Sequence, residues 1–359
     1  MNERLENEKI SKLLLSLAIP SILAQLATLI YNMVDRIYIG QLADGALAIA
    51  GIGLCTSIIT IITAFTNLFG RGGAPLASIR MGEKRMDIAE KILGNCVFSL
   101  VISSLIIMAA LLIFGEDILM LFGASENTLP YAMDYLSIYC LGTVFVQLSV
   151  GLNYFINAQG FAKYGMFTLL IGGVLNIILD PIFIFGLHMD VAGAAIATVI
   201  SQIASAIWTV GFLLSKKATY TIKLRHMIRL NSRRIKKILS LGLAGFTMLA
   251  TNAAVQMVCN MTLKQYGSDL YIGIMTIITS VRDILVLPVQ GFSQGAQPVL
   301  GYNYGAEKNG RVKKAIKYMS VILISYTVLA WMTVAVFPQF FIRIFTENSD
   351  LLAGGVPAL

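Results

Sequence analysis

The sequence predicts an all-α integral membrane protein made of two homologous six-helix lobes in parallel repeat, with the second lobe incomplete. About nine full spans and the start of a tenth are expected. Three observations carry this. Of 359 residues, 57% are hydrophobic and 13% charged, and the mean hydropathy is +0.77, which lies outside the range of a soluble domain. Apolar runs near the length of a membrane-crossing helix, about 20 residues, recur along the chain without the alternation of barrel strands. Finally, FGRGGAPLASIRMGEKRMDIAEKI from Phe69 matches FSQGAQPVLGYNYGAEKNGRVKKAI from Phe292, placing Gly72 on Gly295, Pro75 on Pro298, Gly82 on Gly305 and Lys91 on Lys314. A repeat at half the length of a transporter, with an even number of spans in each copy, is a parallel repeat.

In chain order, Arg4, Lys9 and Lys12 precede the first span, which runs through SLAIPSILAQLATLIYNMV into YNMVDRIYIG. Arg71, Arg80, Lys84, Arg85 and Lys91 follow the second span and are read as one basic connection. Glu116, Asp117 and Glu126 mark acidic breaks on the opposite side, and Lys163 follows the fourth span, FVQLSVGLNYFINAQG. Span five is GMFTLLIGGVLNIILDPIFIFGL; after Asp190 comes span six, AGAAIATVISQIASAIWTVGFLL. The break SKKATYTIKLRHMIRLNSRRIKK carries nine Lys and Arg and no acid.

Basic residues in alternate loops place the N-terminus and this break in the cytoplasm. The domains are therefore an N-terminal lobe at 1–214, a basic linker at 215–237 and a partial C-terminal lobe at 238–359. In the second lobe SLGLAGFTMLATNAAVQMV overlays the first span after a one-residue adjustment, and Asp269 lies in a break. The second copy stops at Leu359, opposite residue 136 of the first, so a chain truncated at its C-terminus is expected, lacking roughly 80 residues of a complete repeat.

The composition also excludes function classes. The net charge of +8 is absorbed by topology, so no nucleic acid partner is expected. Cys55, Cys96, Cys140 and Cys259 lie singly in apolar runs and are read as packing residues. His188 and His226 lie in loops with no partner spacing and are read as solvated. There is no GxxxxGK[ST] phosphate loop, so ATP hydrolysis is unsupported and no enzyme is predicted. The first apolar run is too long for a signal peptide core, so a multi-pass protein of the inner or plasma membrane is expected, targeted by its own spans.

Chemistry concentrates in span five. Thr168, Gly172, Asn176 and Asp180 recur every fourth residue and share one helix stripe. An acid at mid-span costs about 2.5–3.5 kcal/mol against lipid, so the stripe faces protein or water. Pro181 has no N–H for the carbonyl of Ile177, which leaves an extra oxygen near Asn176 and Asp180. Two carboxylates with neutral oxygens suit a proton or a hard cation such as sodium; Asp35 of span one is the candidate second carboxylate, with an aqueous span end marked by the Asp35–Arg36 pair as the alternative. Span six adds Ala194, Thr198, Ser201 and Ser205 on one face, with Thr198 in reach of Asp180, and span four offers Asn153. Asp283, next to Arg282 in TSVRDILVLPVQ, is an accessory candidate with an interface anchor as its bland alternative.

Taken together, LAIPSILAQL, YNMVDRIYIGQL, INAQG, NIILDPIFIFG, VAGAAIATVISQ and QGAQPVLGYNYGA, spread over nearly the whole chain, resemble the multidrug and toxic compound extrusion (MATE) transporters, most closely the bacterial branch with an acid in the first span. The resemblance implies twelve helices in two lobes around a V-shaped cavity, and export of cationic or amphipathic drugs against inward flow of protons or sodium ions. It implies a cation-coupling cluster at Asp35, Asn153, Asn176, Asp180 and Thr198, with Tyr135 as an accessory and Pro20 as a helix bend. Sodium would sit at Asp35, Asp180 and Asn176. No cofactor beyond the coupling ion is implied; the partners are small-molecule drugs and the bilayer, and a monomer is expected. The rival readings are a lipid-linked saccharide flippase of the same plan, which would want a strongly basic cavity, and an inactive truncated fragment.

Overall fold

The computed structural model describes residues 2–42, 45–266, 269–343 and 349–358. The described residues are almost wholly helical: α1 (Asn2–Asn7), α2 (Ile10–Gly40), α3 (Gly45–Gly82), α4 (Met86–Leu121), α5 (Leu129–Ala158), α6 (Ala162–Pro181), α7 (Asp190–Leu214), α8 (Leu224–Ile228), α9 (Ser232–Tyr266), α10 (Asp269–Gly305), α11 (Asn309–Val336), α12 (Pro338–Arg343) and α13 (Ser349–Ala358). Seven of these, α2 to α7 and α11, are long and apolar enough to cross a membrane by length and composition alone. With α9 and α10, some of whose side chains are left undescribed, the described residues form nine long helices, the number of full spans expected. The expected start of a tenth falls partly on 344–348, outside the described residues; Ser349–Ala358 is helical.

Local chemistry sets the helix ends. Gly123 (φ 98°) and Gly160 (φ 85°) take the left-handed conformation just past α4 and α5. There the chain closes back through Ala124 N–H to Leu119 O (3.0 Å) and Phe161 N–H to Ile156 O (3.2 Å), the six-to-one closure that a glycine allows without a Cβ penalty. The sequence places Arg71 in a connection. Instead α3 continues to Gly82, and Arg71 is inside the helix. Similarly, α9 begins at Ser232, so the last residues assigned to the linker are already helical.

The repeat is visible in the backbone. The turn after α3 has Lys84 at φ 61°, and the turn after α10 has Glu307, its equivalent 223 positions on, at φ 56°. Neither is a glycine, and an L-residue is rare in this region. The flanking bonds match as well: Arg85 N–H to Arg80 O and Lys308 N–H to Asn303 O are both 2.9 Å.

The two larger of three apolar clusters among the described residues form most of the core. One apolar cluster joins α2, α3, α4, α5 and α10 through Leu14, Ala74, Leu93, Phe155 and Val299, and another joins α3, α5 and α7 through Ile58, Leu136 and Ala195. Cys55, Cys96 and Cys140 are buried in these contacts. α2 packs on both α6 and α10, and so touches both halves of the molecule.

Candidate functional site

The every-fourth-residue stripe of α6 is buried from end to end: Thr168, Gly172, Asn176 and Asp180 all lie inside. It faces α7. Ser205 donates its hydroxyl to the Thr168 carbonyl (2.9 Å) and Thr209 to the Thr168 hydroxyl (3.3 Å), while Gly172 has no room for a Cβ against Ser205 Oγ. Closer to Asp180, Asn176 Nδ2 donates to Asp180 Oδ1 (3.0 Å) and to Thr198 Oγ1 (3.4 Å). Across from these, α2 brings the Asp35 carboxyl within hydrogen-bonding reach of the Asp180 carboxyl.

The amide of Asn176 therefore spends its protons on one carboxylate and one hydroxyl. Three buried oxygens of the cluster, Asp35 Oδ1, Asp180 Oδ2 and Asn176 Oδ1, have no hydrogen-bond donor among the described residues. Orphaned acceptors at 0% exposure, as for Asp180, are costly unless a proton or cation satisfies them. The donors here are hard oxygens, suited to a proton or an alkali ion.

Tyr135 of α5 belongs to the same place. Its buried hydroxyl lies beside Thr198 and Asp35, and its ring stacks on Tyr139 at 5.8 Å. Tyr31, on the α2 face beside Gly173, closes the cluster. The sequence reading passed over Tyr31 and Tyr139; the four-residue spacing of each from Asp35 and Tyr135 was the available signal.

Asn153 does not join them. Its Nδ2 donates to Gly165 O (2.8 Å), and its Oδ1 accepts from Asn157 Nδ2 (2.7 Å). Gly165 lies 11 residues before Asn176, about 16 Å away along the α6 axis, so Asn153 braces the α5–α6 turn instead. Asp283 also lies elsewhere: it pairs with Arg282 at 3.1 Å, both side chains well exposed, the geometry of a surface anchor. α2 is helical through Pro20. Pro181 ends α6, and Ile182–Gly186 continues as a wider π-turn closed by Leu187 N–H to Ile182 O (2.9 Å), the local adjustment expected where an N–H is missing. His226 is not solvated: it is 6% exposed, packed against α4.

A second feature lies between the halves. A cavity of about 470 Å³ is lined by Arg71, Pro75 and Tyr154 from the first half and by Met248, Gln290 and Gln294 from the second. Arg71 Nε donates to the Tyr154 hydroxyl (3.0 Å), which donates to Asn67 Oδ1 (2.8 Å). Gln25 Nε2 donates to Gln294 Oε1 (3.2 Å) at its edge.

Comparison with known proteins places this arrangement. A family model described as MatE matches residues 20–182 and 244–359. The multidrug export protein MepA of Staphylococcus haemolyticus (strain JCSC1435) is 31% identical over 326 residues, covering 90% of this chain and 70% of that protein. MepA of Staphylococcus aureus (strain MSSA476) is 26% identical over 349 residues, covering 97% and 76%. Among solved structures, the MATE multidrug transporter DinF-BH superposes with a TM-score of 0.90 at 32% identity, covering 98% of this chain and 78% of that one. An outward-facing multidrug resistance MATE family transporter of the MOP superfamily gives 0.90 at 22% identity, with coverages of 99% and 79%, a likeness of fold alone.

Proposed function

The chain belongs to the MatE family, and we propose that it exports cationic or amphipathic drugs in exchange for protons or sodium ions taken up between Asp35 and Asp180. The observation that supports this most directly is the set of three donorless buried oxygens on Asp35, Asp180 and Asn176. Two ionised carboxylates side by side in a low-dielectric interior repel strongly. A proton on one of them, or a sodium ion between them with Asn176 as a neutral ligand, removes that repulsion.

The link from cation to drug runs along α2. Its Asp35 end faces α6, and its Ala18 region packs without a spare atom against Gly295 of α10. A cation that draws Asp35 toward Asp180 repositions a helix that also braces the second half. The cation then biases the equilibrium between inward-open and outward-open arrangements by its differential affinity for the two. The drug occupies the cavity between the halves, and the basic end, carrying Arg80, Lys84, Lys308 and Arg311, lies in the cytoplasm with the N-terminus.

The decisive variant is Asp180→Asn. At equal expression in reconstituted vesicles it abolishes cation-driven dye efflux, because a neutral amide neither releases a proton nor holds sodium. Efflux at the wild-type rate would rule the coupling site out. Imposing a proton gradient and a sodium gradient separately on the wild-type protein identifies the ion.

A further inference from the structure

Resting on the export reading, the inference here concerns which substrates the cavity between the halves accepts. For a transporter of cations its floor has the wrong charge. Among the described lining residues the one ionic side chain is Arg71. Its Nε is occupied by the Tyr154 hydroxyl (3.0 Å), and its guanidinium carbon lies 5.4 Å from the Tyr154 ring centroid. These two contacts, with the Tyr154 hydroxyl passed on to Asn67 (2.8 Å), fix the plane of the guanidinium. Among the described residues neither Nη nitrogen has a hydrogen-bond or ion-pair partner, so both N–H edges are left for a ligand.

A second donor points the same way. Gln297 also lines the cavity, and its Nε2 is buried without an acceptor among the described residues. Arg71 can only donate. Groups with unspent N–H bonds lining one cavity from both halves call for a ligand bearing acceptor oxygens. The carboxyl pair that would otherwise balance Arg71 is remote: Asp35 lies five residues from the Gly40 end of α2, while Arg71 lies 11 residues from the opposite, Gly82, end of α3.

We propose that Arg71 and Gln297 form a docking point for the carboxylate of amphipathic substrates, so that the cavity selects zwitterionic and carboxylate-bearing molecules over purely cationic ones. The planar guanidinium fork matches a carboxylate in two parallel bonds. Met248, Val286 and Val289 take the apolar body. A single guanidinium, with no lysine among the described lining residues, suits one carboxylate, where a pyrophosphate would call for several cations.

The test uses two dyes with one chromophore: rhodamine B, whose carboxylate makes it a zwitterion, and its ethyl ester, a net cation. Binding to the purified full chain is followed by fluorescence anisotropy. Arg71→Gln weakens rhodamine B about tenfold and leaves the ester unchanged or tighter; Gln297→Glu, which turns a donor into a repelling acceptor, does the same. Arg71→Lys keeps the charge, loses the fork and falls between. Equal weakening of both dyes, or no change in either, overturns the docking point while leaving drug binding intact. Failure of the wild-type protein to bind either dye overturns the export reading and this inference with it.

Discussion

Asn153 and Asn176 are the same side chain on neighbouring helices, yet only Asn176 reaches the carboxyl pair. Asn176 is locked by Asp180 Oδ1 at 3.0 Å and Thr198 Oγ1 at 3.4 Å, whereas Asn153 spends its amide on the Gly165 carbonyl and its oxygen on Asn157. The two therefore fail in different ways. Asn153→Ala leaves the buried Asn157 amide without its acceptor and removes the second donor to the Gly165 carbonyl, costing about 1–3 kcal/mol. It lowers the melting temperature of the purified protein and leaves the ion dependence of efflux as it was. Asn176→Leu strips Asp180 Oδ1 of its donor, which lowers stability as well, and it abolishes that dependence. If Asn153→Ala shifts the ion dependence as far as Asn176→Leu, the separation of the two asparagines is wrong. Asp180 and its stripe were legible in the letters because a helical period of four in an apolar run has one physical solution, an inward face. The placement of Asn153 was not, since spacing within α5 says nothing about how far along α6 its partner lies. Arg71 was missed for a related reason: a lone base between Phe69 and Pro75 looks like a span end until α3 is seen to continue past it.

At the level of elements, the linker contains one short helix. α8 has five residues, too few to persist alone, and it is docked by Asn95 of α4. The Asn95 Nδ2 donates to the carbonyls of His226 (2.9 Å) and Arg229 (3.3 Å), and its Oδ1 accepts from Arg234 Nη1 (3.0 Å). Gly94 lets the His226 backbone rest on α4, where a Cβ would come within 2.7 Å of the His226 carbonyl carbon. Burial pushes the His226 imidazole below its ordinary 6.5, and Arg225 pushes it further; Glu90 of α4, at 3.9 Å, opposes them, and Lys91 and Lys223 add to the lowering. A lowered value means that the docked state holds the neutral ring and the undocked state binds the proton more readily. Docking is then intact above pH 6.5 and weakens as the pH falls through the lowered value. Amide hydrogen exchange across 224–229, corrected for intrinsic rates, accelerates between about pH 7.5 and about pH 5.5 in the wild type and not in His226→Gln. Identical acceleration in both proteins would assign the effect to other groups. The basic character of 215–237 was plain from composition. Its docking was hidden, because Asn95 sits in an apolar span and reaches a carbonyl 131 positions away.

Across the whole molecule, the repeat does more than double a helix count: its equivalent residues meet each other. Gly82 packs on Tyr302 and Ala306, and its equivalent Gly305 packs on Ile79, the equivalent of Tyr302. Gly72 packs on Gly242 just as Gly295 packs on Ala18, the residue that overlays Gly242 in the first span. Ser78 faces Gly301, its own equivalent, and its hydroxyl reaches Pro298 O at 3.4 Å. Contacts of i on j and j on i, with a residue opposite itself on the axis, are those of a self-complementary two-fold interface, here within one chain. This interface lies at the basic end, where Lys308 binds Glu6 of α1 (2.8 Å) and Arg311 binds the Glu8 carbonyl just past it (2.8 Å). Backbones that touch through glycine leave no slack, so one added side chain acts as a wedge. Because the closure is symmetric, Gly82→Leu and Gly305→Leu open it equally. Ser78→Cys, buried at 0% exposure, reports the opening in a Cys259→Ala background, since the other three cysteines are buried. A polar thiol reagent labels Ser78→Cys about tenfold faster in either glycine variant, the shift that a wedge of about 1–3 kcal/mol produces. Labelling that rises in one variant and not in the other would show that the two halves do not share the closure.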